Sequence, residues 1–546
     1  MTSGDKLRRT AYRALAGAAF AALTLAAPGH SEAKDTVVIA IPGTPQGIDL
    51  DKHVSPQTWT MSFQVFDEGM GWEWTDYPYE TGQHFDPTHV EGNAYPDFLG
   101  QNMEGRLMEG CDLSEDGLKA VYHIRPGVRS AAGNEFTADD VLWTIERAIS
   151  TAALGNFLWS IANMNDLDKW SKVDEYTVEI NSDSPMPIAC KILTNLYFPW
   201  YDSTEIMKHA TDDDPWGDQW IARFGGGFGA YAVTSWDAGR RVVMEANPNY
   251  WGGEPQVKRI IYQVVPESAN RMALLQQGQI DMAEGLSPDE LMSLENVPNA
   301  RAVATRGNQN IFMVINNNEP PFDDVRVRQA INHLIPRDQI VDNVFRGMAV
   351  PFEGVYPSSY PGHISFLGTY NHDVEKAKAL LAEAGHPNGF ATELAFSSGD
   401  AVQESVAILL RSAFLEAGID AELRRLPVAA HSDTVQSRTA KLALWIDFPI
   451  QPDPNYASSL IYESTGAINY QGYANPKTDE LLLAGRTVVD PEERIAAHQE
   501  VQRVINADAP LGWIAEQFYG VGLAEGVKGF RWYTTQNYQV RDWSFD

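Results

Sequence analysis

Apolar positions along this chain fall into two rhythms. Short β-branched runs, DTVVIAIPG (35–43), RVVMEA (241–246) and RIIYQVV (259–265), have the length and the Pro/Gly punctuation of buried strands. Other segments repeat every three to four residues behind a capping residue, which predicts helices. In FTADDVLWTIERAIS, Thr137 caps and Asp140 reaches back, while Val141, Leu142, Ile145 and Ala148 form the apolar face. DPEERIAAHQEVQRVI opens on Asp490 and Pro491 and carries Ile495, Val501 and Ile505. DVEKAKALLAEAGHPNG stops at Gly385, with Pro387 just beyond. The interleaving predicts an α/β class. The closing stretch from Tyr519 to Trp543 is strand-like and is expected beside the opening strand. A ring-rich stretch between Phe66 and Phe98 has little periodicity and reads as long loops and edge strands.

Composition changes this picture in three ways. The chain has 546 residues, 44% apolar and 11% aromatic, and single cores stop growing at about 250 to 300 residues, so at least two cores are expected. The first 33 residues join a basic lead to a short apolar run ending in Ser31-Glu32-Ala33, the pattern of a secretory signal cut after Ala33. No cysteine stands near that site to carry a lipid, so a freely diffusing periplasmic protein is expected. The formal charge of −32 repels phosphate backbones and anionic lipid surfaces, which argues against a nucleic-acid partner.

Cys111 and Cys190 are the two cysteines of the chain. Export permits them to pair, and the bridge would be worth roughly 4 kcal/mol in a chain-entropy model. Paired and free states are both open on this evidence. No CxxC motif suggests zinc or redox chemistry.

Several strings together resemble one family. GFGAYAVTSWDAGRRVVMEANPNYWGGEPQVKRIIYQVVPESANRMALLQQGQIDMA is similar to the central signature of the family 5 solute-binding proteins of ABC importers. LSEDGLKAVYHIRPGV, PPFDDVRVRQAINHLIPRDQIV, YNHDVEKAKALLAEAGHPNGF and YQGYANPKTDELL agree with it, in the family's order. The resemblance implies a two-lobed periplasmic-binding-protein fold of the cluster C type with an extra inserted domain. By position, lobe I would use 34–73, 222–312 and 506–546, the inserted domain 74–221 and lobe II 313–505. It also implies a small-molecule ligand, short peptides or related amino-compounds foremost, delivered as a monomer to a membrane ABC permease. Oligosaccharide or opine binding by the same fold is the alternative. An exported hydrolase is disfavoured, because the chain has no GxSxG and no HExxH. No catalytic residue, cofactor or metal is expected.

The sharpest candidate residue lies in LALWIDFPIQPDPNY (442–456). Asp447 is set among large apolar side chains, and burying a carboxylate without a partner costs several kcal/mol, roughly. Trp445, Asp447 and Phe448 approximate the segment with which the family's peptide binders meet an ammonium. The rival role for Asp447 is a turn cap in the proline-rich loop. Trp72 and Trp74 offer ring surfaces for a ligand or for the core. Asn308, Gln309 and Asn310, near the expected hinge, offer amides for a ligand or for a turn. Thr44 and Gln46 follow the first strand, where ligands often meet α/β sheets. GGGFGA imitates a dinucleotide fingerprint but precedes a strand rather than a helix. His84 and His89 lack helical spacing for a metal. TDDDPWGD (211–218) lacks the closing glutamate of a calcium loop and reads as a solvated acidic turn.

Overall fold

The computed structural model describes residues 34–53, 55–72, 74–76, 94–96, 103–151, 153–195, 198–358, 360–366, 368–398, 400–447, 451, 453–531 and 538–545. An eleven-stranded sheet runs through the molecule. Its order is Tyr231–Asp237, Arg241–Ala246, Arg259–Val264, Thr36–Ile41, Met282–Ala283, Leu511–Ala524, Ala300–Ile315, Leu442–Asp447, Ala391–Ser397 and Asp420–Leu426, with Ala349–Pro351 also paired to Leu511–Ala524. Two of these strands are far longer than the rest: Ala300–Ile315 has 16 residues and Leu511–Ala524 has 14. They pair antiparallel from Ala300↔Ala524 to Val314↔Leu511. Their outer ends touch opposite halves of the sheet, since Met282–Ala283 pairs with Leu523 and Gly522 while Leu442–Asp447 pairs with the stretch from Asn310 to Ile315. The two long strands thus cross from one half to the other.

The returning strand does not lie directly beside the opening one. Met282–Ala283 is interposed, parallel to Ile39 and Ala40 and antiparallel to the return. Sequence gave no sign of this because two apolar residues are too short a run to announce a strand.

Side-chain alternation sorts the crossing region into two cores. Phe312, Val314, Ala443, Leu511 and Trp513 join one, and Ile311, Met313, Ile315, Leu442 and Leu444 join the other. This is the period-two rule acting on both faces of a fully covered sheet.

Asp140 and Asp490 act as their positions imply, while the Thr137 hydroxyl donates to Asp140 Oδ2 at 3.2 Å. Asp140 Oδ2 accepts from the Thr137 backbone N–H at 2.9 Å, opening the helix Ala138–Thr151. Asp490 accepts from the N–H groups of Glu492 and Glu493 ahead of Pro491–Asp508. Asp373 opens Val374–Glu383, and Gly385 follows at φ +91°, a backbone state that costs glycine nothing.

A separate four-stranded antiparallel sheet, Met108–Leu113, Lys119–Ile124, Thr177–Asn181 and Trp170–Asp174, lies in the segment before residue 222. Cys111 of its first strand is bonded to Cys190, with a Cα–Cα separation of 5.6 Å across 79 residues of chain. That bond settles the pairing left open by the sequence. It also fixes the start of the short helix Lys191–Thr194 against the small sheet. Within the ring-rich stretch, backbone pairing defines Met70–Trp72, Trp74–Asp76 and Ala94–Pro96 as three-residue strands.

Candidate functional site

Register places the site. Asn310 is opposite Asp447 on one side and opposite Glu516 on the other, so the three side chains share a row on one face of the sheet. Strands stand about 4.8 Å apart, which sets the two carboxylate-bearing strands roughly 10 Å from each other with the amide between them. Asn310 and Glu516 are buried and Asp447 is half-buried. The next position along this face brings Phe312 opposite both Trp445 and Trp513. A narrow cavity of about 10 Å³ opens among Asn310, Phe312, Asp447, Tyr356 and Tyr462.

The two acids are held differently. Glu516 accepts from the Ser358 backbone N–H at 2.9 Å and from its hydroxyl at 2.7 Å, a pairing that pins the loop after Pro351 onto the crossing strand. Asp447 accepts from the Trp445 indole Nε1–H at 3.2 Å. Trp445 is sandwiched: the His431 ring stacks at 5.8 Å and Tyr470 meets it edge-on at 5.4 Å. Burial lowers the His431 pKa, which favours the neutral form of the ring stacked on Trp445. Burial, and next the charge of Asp447, raise Tyr470. Aromatic walls and a carboxylate whose described donor is an indole suit a cationic guest.

Asp453 of the proline-rich stretch caps the helix that follows it. Asp453 accepts from the N–H groups of Asn455 and Tyr456 at the start of the helix Pro454–Tyr462. Arg494 holds it bidentately, 2.7 Å at each oxygen. Despite the opposing burial, that guanidinium keeps the Asp453 carboxyl far below the usual carboxylate range.

The site touches the half of the molecule that carries the disulfide. Asn195 Nδ2 donates to Gln451 Oε1 at 3.4 Å, and Gln451 Nε2 donates to the Lys191 carbonyl at 3.3 Å. Gln451 lies four residues after Asp447 in the chain.

Of the sequence candidates, Asp447, Trp445 and Asn310 come together. Gln309 turns to the opposite face of the crossing strands, where its amide is hydrogen-bonded to that of Gln517. Thr44 accepts from the Gly239 N–H at 3.0 Å and the Gln46 carbonyl accepts from Arg223 at 2.6 Å, so the described bonds of this loop go to neighbours from the segment 223–239. The backbones of Trp72, Trp74 and Asn308 lie in strands, Trp72 paired with Met103 and Trp74 with Pro96, but their side chains lie outside the described residues, as do Phe448, His84 and His89. GGGFGA is followed by the strand Tyr231–Asp237, and Asp214 of the acidic turn accepts from the N–H groups of Asp218 and Gln219. No group of three or more metal-ligating side chains is present among the described residues.

Sequence reasoning missed Glu516 and Ser358. Glu516 carries the same signal as Asp447, an acid inside an apolar strand, LGWIAEQFYGVGLA. A larger cavity of about 230 Å³, bordered by Arg337, Phe352, Glu353, Tyr370 and Trp513, shares Phe352 with the narrow one. Its arginine is spent on the carbonyls of Trp513, Asn332 and Tyr370, and burial lowers its pKa to about 10.

Comparison with known proteins gives a consistent result. The family described as bacterial extracellular solute-binding proteins, family 5 (middle), matches residues 102–469. The probable D,D-dipeptide-binding periplasmic protein DdpA of Escherichia coli K12 is 25% identical over 500 residues, covering 91% of each chain. The structure of DppA from Helicobacter pylori in complex with the peptide STSA superposes with a TM-score of 0.79 at 22% identity, covering 94% of this chain and 98% of that one. MoaA of A. tumefaciens R10 in complex with mannopinic acid gives the same TM-score and identity, covering 94% of this chain and all of the other.

Proposed function

This chain belongs to family 5 of the bacterial extracellular solute-binding proteins, and on that premise we propose that its cleft captures a short peptide or a related amino-compound for a membrane permease. The observation that carries the ligand class is the row Glu516, Asn310, Asp447 beside Trp445. An ammonium entering there exchanges water for a charge-assisted hydrogen bond to Asp447 and for contact with rings. Two relatives with peptide in their names or titles support the same reading. An opine is the second reading, favoured by the mannopinic acid complex and by the stacked rings of His431 and Trp445.

Residues 34–73, 222–312 and 506–546 form lobe I in this reading, 74–221 the inserted domain and 313–505 lobe II. The crossing strands are the hinge, and a ligand shifts the open and closed populations by its differential affinity for the closed form. The protein does no chemistry on its guest. In this reading it is exported by the leader 1–33 and works as a monomer.

A pool of random tri- and tetrapeptides with free termini tests this directly. After incubation and gel filtration, mass spectrometry is expected to find retained peptides chemically intact, with the N-acetylated pool retained at least about tenfold less. Cleaved peptides, or equal retention of both pools, contradict the reading.

A further inference from the structure

None of Glu516, Asn310 and Asp447 borders the cavity of about 230 Å³ at Arg337 and Trp513. Its floor is buried and its rim is wet. Phe352 and Trp513 are each 3% exposed, whereas Asp338, Gln339 and His372 at its edge are exposed. A hollow with an apolar floor and a polar mouth admits a guest from solvent. The Tyr370 ring lies 6.1 Å from that of Trp513 at an interplanar angle of 31°, and Phe366 adds a further ring, so aromatic surface dominates the interior.

Three polar side chains reach the same space. Arg337 donates to the carbonyls of Trp513, Asn332 and Tyr370 and to Asn332 Oδ1, so it offers a guest its charge more than its donors. Glu353 accepts from the Ser365 hydroxyl at 3.0 Å and is the foremost acid acting on Arg337. The two charges offset one another. Asn506 differs from both. It is 9% exposed, its backbone carbonyl accepts from the Tyr370 hydroxyl at 2.6 Å, and its side-chain amide has no hydrogen-bond partner among the described residues. A buried carboxamide without partners is costly, and a guest that supplies them removes that cost.

We propose that this cavity is a second small-molecule site, separate from the acid row, and that it takes a flat, neutral ring carrying an N–H beside a C=O, the edge of a nucleobase lactam or of an aryl carboxamide. Asn506 Nδ2–H donates to the carbonyl of the guest and Asn506 Oδ1 accepts from its N–H, while the ring lies against Tyr370 and Trp513. An ion is disfavoured, because it would shed its water where Arg337 and Glu353 already balance. The volume confines the guest to one or two fused rings, since drug-sized ligands fill about 300 to 1,000 Å³. The assignment does not depend on the amino-compound reading of the acid row.

The test uses the full mature chain and saturation-transfer NMR titrations with two probes, uracil and nicotinamide, each beside the analogue in which methyl groups replace the N–H hydrogens. Wild type is expected to bind one or both parents at least about tenfold tighter than the methylated form, and nicotinamide, where it binds, tighter than nicotinate. Binding of uracil alone supports the site with a nucleobase guest, and binding of nicotinamide alone supports it with an aryl carboxamide. Asn506→Leu, folded by its thermal melt, is expected to lose at least about tenfold in affinity for the parent. No binding of either parent, methylated forms or nicotinate equal to their parents, or an unchanged affinity in folded Asn506→Leu overturns the assignment. The methylation comparison needs wild type alone, so it decides the matter even where the variant fails to fold.

Discussion

Glu516 and Asp447 stand on the same face of the sheet, one strand to either side of Asn310. The residues between them in the chain number almost seventy, so the pairing is a product of topology alone. Glu516 uses its carboxylate on Ser358. Asp447 accepts from the Trp445 indole, and under the proposed function it is the acid of the row that meets the guest's ammonium.

Glu516→Ala leaves the Ser358 N–H and hydroxyl without their charged acceptor. A loss of about 2 to 3 kcal/mol in stability is expected, since hydrogen bonds to charged groups contribute about 1.5 to 3 kcal/mol and the orphaned donors remain partly buried. Hydrogen exchange is expected to rise in residues 353–358 before it rises elsewhere. Unchanged exchange there contradicts the pinning role.

The Asn195–Gln451 hydrogen bond joins the disulfide-bearing segment to the opposite half. Gln451→Ala removes this bond and the one to the Lys191 carbonyl. At about 1 kcal/mol for each, ligand affinity is expected to fall by roughly tenfold or more through loss of the closed form. Small-angle scattering checks the mechanism: the variant with peptide should keep a radius of gyration closer to the ligand-free value than wild type does.

Asp453 and Arg494 form a fully buried bidentate pair. Arg494→Met strands the carboxylate and is expected to cost about 3 to 5 kcal/mol, whereas the double change Asp453→Asn with Arg494→Met recovers part of that loss. Because the folded-state pKa of Asp453 is depressed, its contribution is complete above the ordinary aspartate range and is lost as pH falls towards the folded-state value. Denaturant titrations across acidic pH in wild type and the double variant measure the difference. A single variant as stable as wild type contradicts the account.

Much of this architecture was legible beforehand because it is local. Thr137 with Asp140, Asp490 with Pro491, and Gly385 with Pro387 each fix a helix end from adjacent residues, and RVVMEA and RIIYQVV are strands on length and branching alone. Asp447 was also findable, as an acid out of place among apolar neighbours. What sequence withheld was register. Gln309 and Asn310 are adjacent, yet alternation sends one to Gln517 and the other to the acid row. The partner of Asp453 is Arg494, a helix away, which nothing in the proline-rich stretch announces.

Glu284 gives the molecule an opposite pH response. It is buried, accepts from the Tyr538 hydroxyl at 2.6 Å, and burial raises its pKa to about 7 against the partial opposition of Tyr538 and Arg271. A raised folded-state pKa means that the folded chain holds a proton the unfolded chain has released. This contribution is therefore complete below the ordinary glutamate pKa and is lost as pH rises towards about 7. The full span is worth about 3 kcal/mol. Glu284→Gln is expected to melt at the same temperature as wild type near pH 4 and higher than wild type at pH 8. Parallel melting curves at the two pH values contradict the protonated state.

The most direct test of the central claim is the affinity of wild type and Asp447→Ala for the peptides that wild type retains from the free-terminus pool, measured by titration calorimetry. Truncating one partner of a desolvated charge pair leaves the ligand's ammonium unmatched, and a loss of about 2 to 5 kcal/mol, at least about thirtyfold in Kd, is expected. An unchanged Kd in a folded Asp447→Ala protein contradicts the account.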